Sequence, residues 1–405
     1  VSEGQRALYE IDAEEDCLVA RGPQSEEGWE EIFAVMRERR IGGFRADEIS
    51  DQAMKGLSRL NELRRFQSCW GKGISDAGVA NLEGCHRLES VNLIGTDTGD
   101  GLLRAMAGKA HLRQLKTGRC VSDSGMKLLH QIPAFKNWLG GEIRLGLMSA
   151  EAQPNHLLLD GPFTDAGLAE IVGLDGLFGL SFLWHSAAFS SAGMANLRRL
   201  PRLGFLGCQG AHCDDEAMRE IAAMPQLRML MGQGAVASDV GWEALSDSES
   251  IEYIWGRECP NLTGLGFSKL AAMPALRGLG VSCKNVDDTS LALLPSFPAL
   301  REIMPMDVSD AGFRYLGRCE KLEQLWCMYC RDTGDVATEH IRMLPHLKSY
   351  YAGMTQITDT SLEILGRMPS LEEVELKACA RISEGGVARL TTLMNSRGGR
   401  VKYSA

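Results

Sequence analysis

The chain has 405 residues, of which 44% are apolar, 24% charged and 6% aromatic, and a formal net charge of −10. There is a core to bury, which excludes a disordered chain, and Lys and Arg are scattered through an acidic whole, which argues against nucleic acid and anionic membranes as partners. No apolar run approaches the roughly 20 residues that span a bilayer.

The first segment, VSEGQRALYE, lacks the apolar stretch of a signal peptide. A cytoplasmic protein is expected, although the start at Val1 rather than Met leaves a processed secreted form open. RALYEIDAEEDCLVARG reads as a β-hairpin, SEEGWEEIFAVMRERR (25–40) as an amphipathic helix and IGGFRA as a strand. Residues 1–43 are therefore expected to cap the end of an array.

From residue 44 to 394 one phrase recurs: ISDAGVANL (74–82), FTDAGLAEI (163–171), VSDAGFRYL (308–316), ITDTSLEIL (357–365). Its acidic position is Asp51, Asp76, Asp100, Asp123, Asp165, Asp215, Asp239, Asp288, Asp310, Asp335, Asp359 and Glu384, with Ser191 and Gly264 in two copies that lack it. Ser or Thr followed by Asp, just ahead of an apolar i, i+3 pattern, predicts a capped helix start with a carboxylate at its positive end. Downstream lies L-x-x-L-x-(apolar), as in Leu371, Val374 and Leu376 or Leu322, Leu325 and Cys327, and its period of two predicts a short strand. A strand and a helix every 22–26 residues cannot bury their apolar faces alone, but stacked copies can. One interval, Asp123 to Asp165, is longer. FKNWLG (135–140) and NHLLLD (155–160) read as its strands, with GEIRLGLMSAEAQP as a connection, so an atypical short repeat is expected near 139–160. RVKYSA, within 395–405, reads as a closing strand.

On these residues the chain resembles the leucine-rich repeat superfamily, specifically its cysteine-containing type and bacterial repeats with a T-D-A-G-L helix start. The resemblance covers residues 44–403 and implies an α/β fold, a right-handed horseshoe solenoid of about 14 repeats with a parallel sheet on the concave face and short helices on the convex face. It also implies a ladder position after each strand, matched by Cys259, Cys283, Cys330 and Cys379, and a second cysteine at the helix end, matched by Cys85 and Cys319.

Twelve cysteines invite a metal or disulfide reading. In the repeat alignment Cys327 points inward and Cys330 takes the ladder position, so Cys327-x-x-Cys330 is expected to be structural. Free buried thiols in such number fit a reducing compartment. The recurrent Asp could suggest calcium, but each carboxylate is expected to serve its own helix start. The eight histidines fall on separate repeats, and no Ser, His and Asp constellation, phosphate loop or H-E-x-x-H occurs. No metal, no cofactor and no enzyme activity are expected.

The informative column is the residue between the two inward positions of each strand, which faces solvent. It runs Gln67, Asn92, Lys116, Leu139, Leu158, Ser181, Gly207, Met231, Trp255, Gly280, Met304, Trp326, Tyr351, Glu375. The adjacent column adds Phe205, Met229, Tyr253 and Gly278, and Met306, Met328 and Tyr329 follow at the strand ends. Exposed Met, Trp and Tyr in one patch mark an interaction site. At about 4.8 Å per strand, Met231 and Tyr351 stand roughly 24 Å apart. Gly278 and Gly280 are expected to leave a notch beside Trp255 for one inserted ring. The candidate binding residues are Phe205, Met229, Met231, Tyr253, Trp255, Gly278, Gly280, Met304, Trp326, Met328 and Tyr351. A protein or peptide on this face is the favoured partner; a small hydrophobic ligand or a second copy of the chain are the alternatives.

Overall fold

The computed structural model describes residues 8–133, 142–146, 156–183, 185–186, 188–281, 287–305, 308–328 and 330–405, with the backbone alone at 142–146, 281 and 328. The chain divides into two compact units, Val1–Leu206 and Gly207–Ala405.

The first unit opens with an antiparallel hairpin of β1 (Tyr9–Asp12) and β2 (Cys17–Ala20). Helix Glu26–Arg39 follows, its first turn capped by the Ser25 side chain, and it buries Trp29, Ile32, Phe33 and Met36. From β2 onward every strand pairs in parallel with the next: β3 (Gly43–Arg45), β4 (Arg65–Gln67), β5 (Ser90–Asn92), β6 (Gln114–Lys116), β7 (Glu142–Gly146), β8 (His156–Asp160) and β9 (Gly179–Phe182). β10 (Phe205–Gln209) begins at the end of this unit and finishes in the second.

The second unit repeats the pattern with β11 (Met229–Gln233), β12 (Tyr253–Arg257), β13 (Gly278–Val281), β14 (Glu302–Ile303), β15 (Gln324–Met328), β16 (Ser349–Gly353), β17 (Glu373–Lys377) and β18 (Arg400–Ser404), all parallel. Leu230, Ile254, Leu279, Ile303, Leu325, Tyr350 and Val374 stand opposite one another in register and are buried. They form one core layer, closed on the other side by residues such as Trp242, Phe267, Phe313, Ile341 and Leu362 of the short helices. Each unit is thus a leucine-rich-repeat solenoid, with a parallel sheet on one side and short helices on the other.

The irregular interval differs from expectation. A strand forms at Glu142–Gly146, inside the stretch read as a connection, and Arg144 pairs with Lys116 and Leu158 in the place assigned to Leu139. Leu139 and FKNWLG lie outside the described residues. EIRLG alternates with the period of a strand, but its charged residues hide the signal beside the more apolar neighbours.

The chain leaves its strands through one recurrent turn. The residue three places after the solvent-facing column has a left-handed backbone: Trp70 (φ 60°), Gly95 (79°), Gly210 (53°), Gly234 (62°), Glu258 (55°), Met354 (55°) and Ala378 (50°). The next residue carries the ladder. The Cys330 thiol donates to the Pro305 carbonyl at 2.9 Å, Cys379 to Ala352 at 3.4 Å and Cys259, weakly, to Gly232 at 4.0 Å. Cys283 lies outside the described residues. Cys85 reaches the Leu57 carbonyl at 3.3 Å, while Cys319 bonds within its own helix end, to Tyr315 at 3.6 Å.

The recurrent carboxylate does something other than serve its own helix. In most copies Asp opens the helix, but its side chain crosses to the next repeat and holds the Ser or Thr that caps the following helix. Asp239 accepts from the Thr263 amide at 2.8 Å and from the Thr263 hydroxyl at 2.6 Å; Asp215 does the same with Ser238 (2.7 and 2.8 Å), and Asp335 with Thr358 (2.9 and 2.7 Å). The capping hydroxyl in turn accepts a helix N–H, as from Leu265 to Thr263 at 3.2 Å. Such bonds to an ionised acceptor are the stronger kind, about 1.5–3 kcal/mol each. The glycine of D-A-G completes the fit. A Cβ at Gly266 stands 2.4 Å from Asp239 Oδ1, at Gly167 2.4 Å from Asp123 Oδ1, and at Gly193 2.1 Å from Asp165 Oδ1. In these copies the bare Cα leaves room for the upstream carboxylate, whereas Ala337 and Ser361 hold the same place in two others with their amides 3.2 Å from the Oδ1 of Asp310 and Asp335.

The two copies that follow Ser191 and Gly264 have no upstream carboxylate. They carry Ala217 and Ser290 at the glycine position. Each also supplies its own cap from an extra Asp: Asp214 accepts from the Ala217 amide at 2.8 Å, and Asp287 from the amides of Thr289 and Ser290 at 3.0 Å.

Candidate functional site

The parallel register of the second unit brings the solvent-facing residues into rows. Met231, Trp255 and Gly280 stand opposite one another, as do Trp326, Tyr351, Glu375 and Lys402. Met304 lies between the two groups, its amide bonded to the Leu279 carbonyl at 2.9 Å and its Cβ 3.1 Å from where a Gly280 Cβ falls. The adjacent row is Met229, Tyr253, Gly278, Glu302, Gln324, Ser349, Glu373 and Arg400. Met231 is 45% exposed, and Met229, Tyr253, Trp255, Met304, Trp326 and Tyr351 are half-buried. The strand period explains this placement: each neighbour of an inward Leu, Ile or Tyr must face out.

The rings are not loose. A Cβ on Gly278 meets the Tyr253 ring at 2.2 Å, and a Cβ on Gly280 meets the Trp255 ring at 2.2 Å. Tyr253 and Trp255 therefore lie flat across the glycines of the next strand, and the expected notch is filled by these rings. Glycine reads in sequence as vacant space, but a flat side chain one strand away takes it. Trp326 and Tyr351 stack with centroids 5.6 Å apart and planes tilted by 35°. Met328 ends β15 opposite Gly353; of its side chain nothing is described, and Met306 and Tyr329 lie outside the described residues. Phe205 belongs to the first unit, where its ring stands 5.0 Å from that of His156.

Two charged features accompany the rows. At the N-terminal ends of the strands Arg228, Glu252 and Arg277 form one ion-pair run, and Arg301, Glu323 and Lys348 another, with Arg301 to Glu323 at 2.8 Å and Lys348 to Glu323 at 3.0 Å. Inside the face sits Glu302, half-buried; burial pushes its carboxyl up, and the nearby Trp326 indole N–H pulls it down more weakly, short of a hydrogen bond. The column reading stopped at Gly278, one repeat short of it. Trp70, in the first unit, was also passed over: it is 64% exposed, and its ring covers Gly95.

Cys327 is buried, and burial with the neighbouring Cys330 thiol pushes its thiol up, so the Cys327 thiol stays protonated and poorly nucleophilic. Among the described residues no group of three or more His, Cys, Asp or Glu is placed to hold a metal ion, and no helix is long and apolar enough to cross a membrane. Among the described residues His156 and Ser181 make a Ser–His contact, Nε2 to Oγ 2.8 Å, with the imidazole pushed down to about 4 by burial. A base that weak has little pull on a hydroxyl proton at neutral pH.

No family model matches the chain. Among solved structures it is similar to an internalin, InlF, from Listeria monocytogenes (16% identity, 95% of this chain and 96% of that one, TM-score 0.47). It is also similar to a chain of the yeast Rad7–Elc1 complex (14%, 93% and 88%, TM-score 0.45) and of a TLR13–ssRNA13 complex (14%, 96% and 65%, TM-score 0.47). These superpositions are loose, and the fold rests on the strand register and repeat contacts themselves.

Proposed function

We propose that the chain is a non-catalytic binding scaffold whose sheet face in the second unit grips a protein or peptide. One observation carries this reading: Met231, Tyr253, Trp255, Met304, Trp326 and Tyr351 share one solvent-facing side of one sheet, with two of the rings braced over glycines. Large aromatic side chains with few rotatable bonds, already held in place, lose little freedom on binding. The filled notch disfavours a small ligand, since the rings form ridges rather than a cleft.

On the same footing, we propose that residues 1–43 cap the first core layer, and the ladder cysteines favour the cysteine-containing type of repeat. The buried free thiols favour a reducing compartment.

The test is affinity capture with the parent chain and with Trp255→Ala/Trp326→Ala. Each tryptophan is expected to contribute about 2 kcal/mol or more to binding, so partners held by the parent should be missing from the double variant while its circular dichroism is unchanged. Retention of the same partners by the double variant refutes the assignment.

A further inference from the structure

Acidic side chains of the second unit's strands are answered by bases. Glu252 pairs with Arg228 and Arg277, Glu323 with Arg301 and Lys348, Glu373 with Lys402 at 2.8 Å and Arg400 at 3.4 Å, and Glu375 with Lys402 at 3.7 Å. Glu302 is the exception. Among the described residues no Lys, Arg or His nitrogen lies within ion-pair reach of it, and the polar group that bears on it is the neutral indole N–H of Trp326, which itself has no hydrogen-bond partner. It sits beside Gly278, across which the Tyr253 ring lies, and one row from Gly280, across which the Trp255 ring lies. A half-buried carboxylate among aromatic faces, with the nearby arginines engaged by other acids, is an uncompensated negative charge.

Resting on the sheet-face reading above, we infer that the occupant is an extended basic segment of a partner protein, and that one of its Lys or Arg side chains seats its cation against the Glu302 carboxylate, between the Tyr253, Trp255 and Trp326 rings. Two attractions then coincide at one point. The carboxylate supplies a charge-assisted hydrogen bond, and the ring faces supply cation–π contacts, which strengthen as the cation loses water. A stem of four methylenes or an Arg side chain also covers Met304 and the indole edges with apolar surface. The partner is extended because alternate residues of a strand project on one side at roughly 7 Å spacing, which matches the spacing of Tyr253 and Trp255, two residues apart on one strand.

The probe is an acetylated, amidated heptapeptide, Ac-GAKAKAG-NH2, titrated into the full chain with tryptophan fluorescence as readout. Its norleucine counterpart and tetramethylammonium run in parallel. The lysine peptide is expected to saturate the signal with a Kd that rises with salt. Glu302→Gln, which keeps the shape and the Trp326 contact, should weaken it about tenfold, in line with one hydrogen bond to a charged group, with far-UV circular dichroism confirming the fold. Equal binding of the norleucine peptide, an unchanged Kd in Glu302→Gln, or tetramethylammonium saturating as tightly as the peptide each overturns the inference. Affinity capture separates it from the broader reading. If the Trp255/Trp326 variant loses the captured partners and Glu302→Gln keeps them, the sheet face stands and the basic occupant falls; if both keep them, both fall.

Discussion

Gly266→Ala tests the contact on which the repeat stacking turns. The new methyl stands 2.4 Å from Asp239 Oδ1, 2.9 Å from Leu262 Cδ1 and 3.0 Å from Asp239 Cα, so the carboxylate must retreat by roughly half an ångström, away from the Thr263 amide and hydroxyl. Overpacking costs about 1–3 kcal/mol and two weakened bonds to a charged acceptor about 1 kcal/mol each, against about 1 kcal/mol gained from alanine's helix propensity. A net loss of about 2–4 kcal/mol is expected. With Asp239→Ala in place the carboxylate is gone, while the Leu262 methyl and the Cα of residue 239 still crowd the new one at the low end of that range, about 1 kcal/mol, which the helix propensity offsets, so the same substitution should be near neutral. Urea unfolding of the four proteins, followed by circular dichroism, gives the coupling energy, expected near 3 kcal/mol. An equal penalty for Gly266→Ala in both backgrounds refutes the carboxylate–glycine fit.

Leu325→Ala should cost about 2–5 kcal/mol as a core deletion, since Leu325 is buried. Trp326→Ala, one residue on, should change stability by less than about 1 kcal/mol in the same urea assay, and a larger loss there makes Trp326 a core residue. Asp359 is held below its ordinary value of 3.8, first by the Ser383 hydroxyl and then by the Ser383 amide. Its contribution is therefore present above the unfolded value and lost as pH falls through the lower folded one. The urea midpoint should drop below about pH 4, and less steeply in Asp359→Asn. His156 acts from the other side: folded at about 4 against an ordinary 6.5, it is neutral in the folded chain while the unfolded chain takes up a proton. Its contribution is whole above the ordinary value and lost on acidification, by about 2 kcal/mol between about pH 7.5 and about pH 5. His156→Gln should flatten that part of the profile, and an unchanged slope assigns it elsewhere.

The repeat was legible because its two halves have different periods, two for the strands and 3.6 for the helices, and the solvent-facing rows follow from the first period alone. That Cys327 faces inward and Cys330 bonds the preceding repeat's backbone was equally open to alignment. What a carboxylate does was harder to read. An Asp at the first helical position satisfies the same local rule whether it serves its own helix or the next repeat's cap, and only the stacking distance decides. A signal for the second choice was nevertheless present in the Asp214–Asp215 and Asp287–Asp288 doublets, which occur where the preceding copy lacks its acid. Glu302 was missed for a simpler reason. A column read for apolar residues ends where the first charge appears, although the register that placed Tyr253 and Gly278 also places Glu302.

The carboxylate clamp gives the array a polarity. Removing a repeat from the C-terminal side bares a carboxylate, which water solvates readily. Removing one from the N-terminal side strands an amide and a hydroxyl at the start of a helix, together with an empty pocket over glycine. The cost of trimming is therefore unequal at the two ends, and among the described residues the helix starts from Ser75 to Ser383, apart from the two with their own Asp, are stable on loan from a carboxylate upstream.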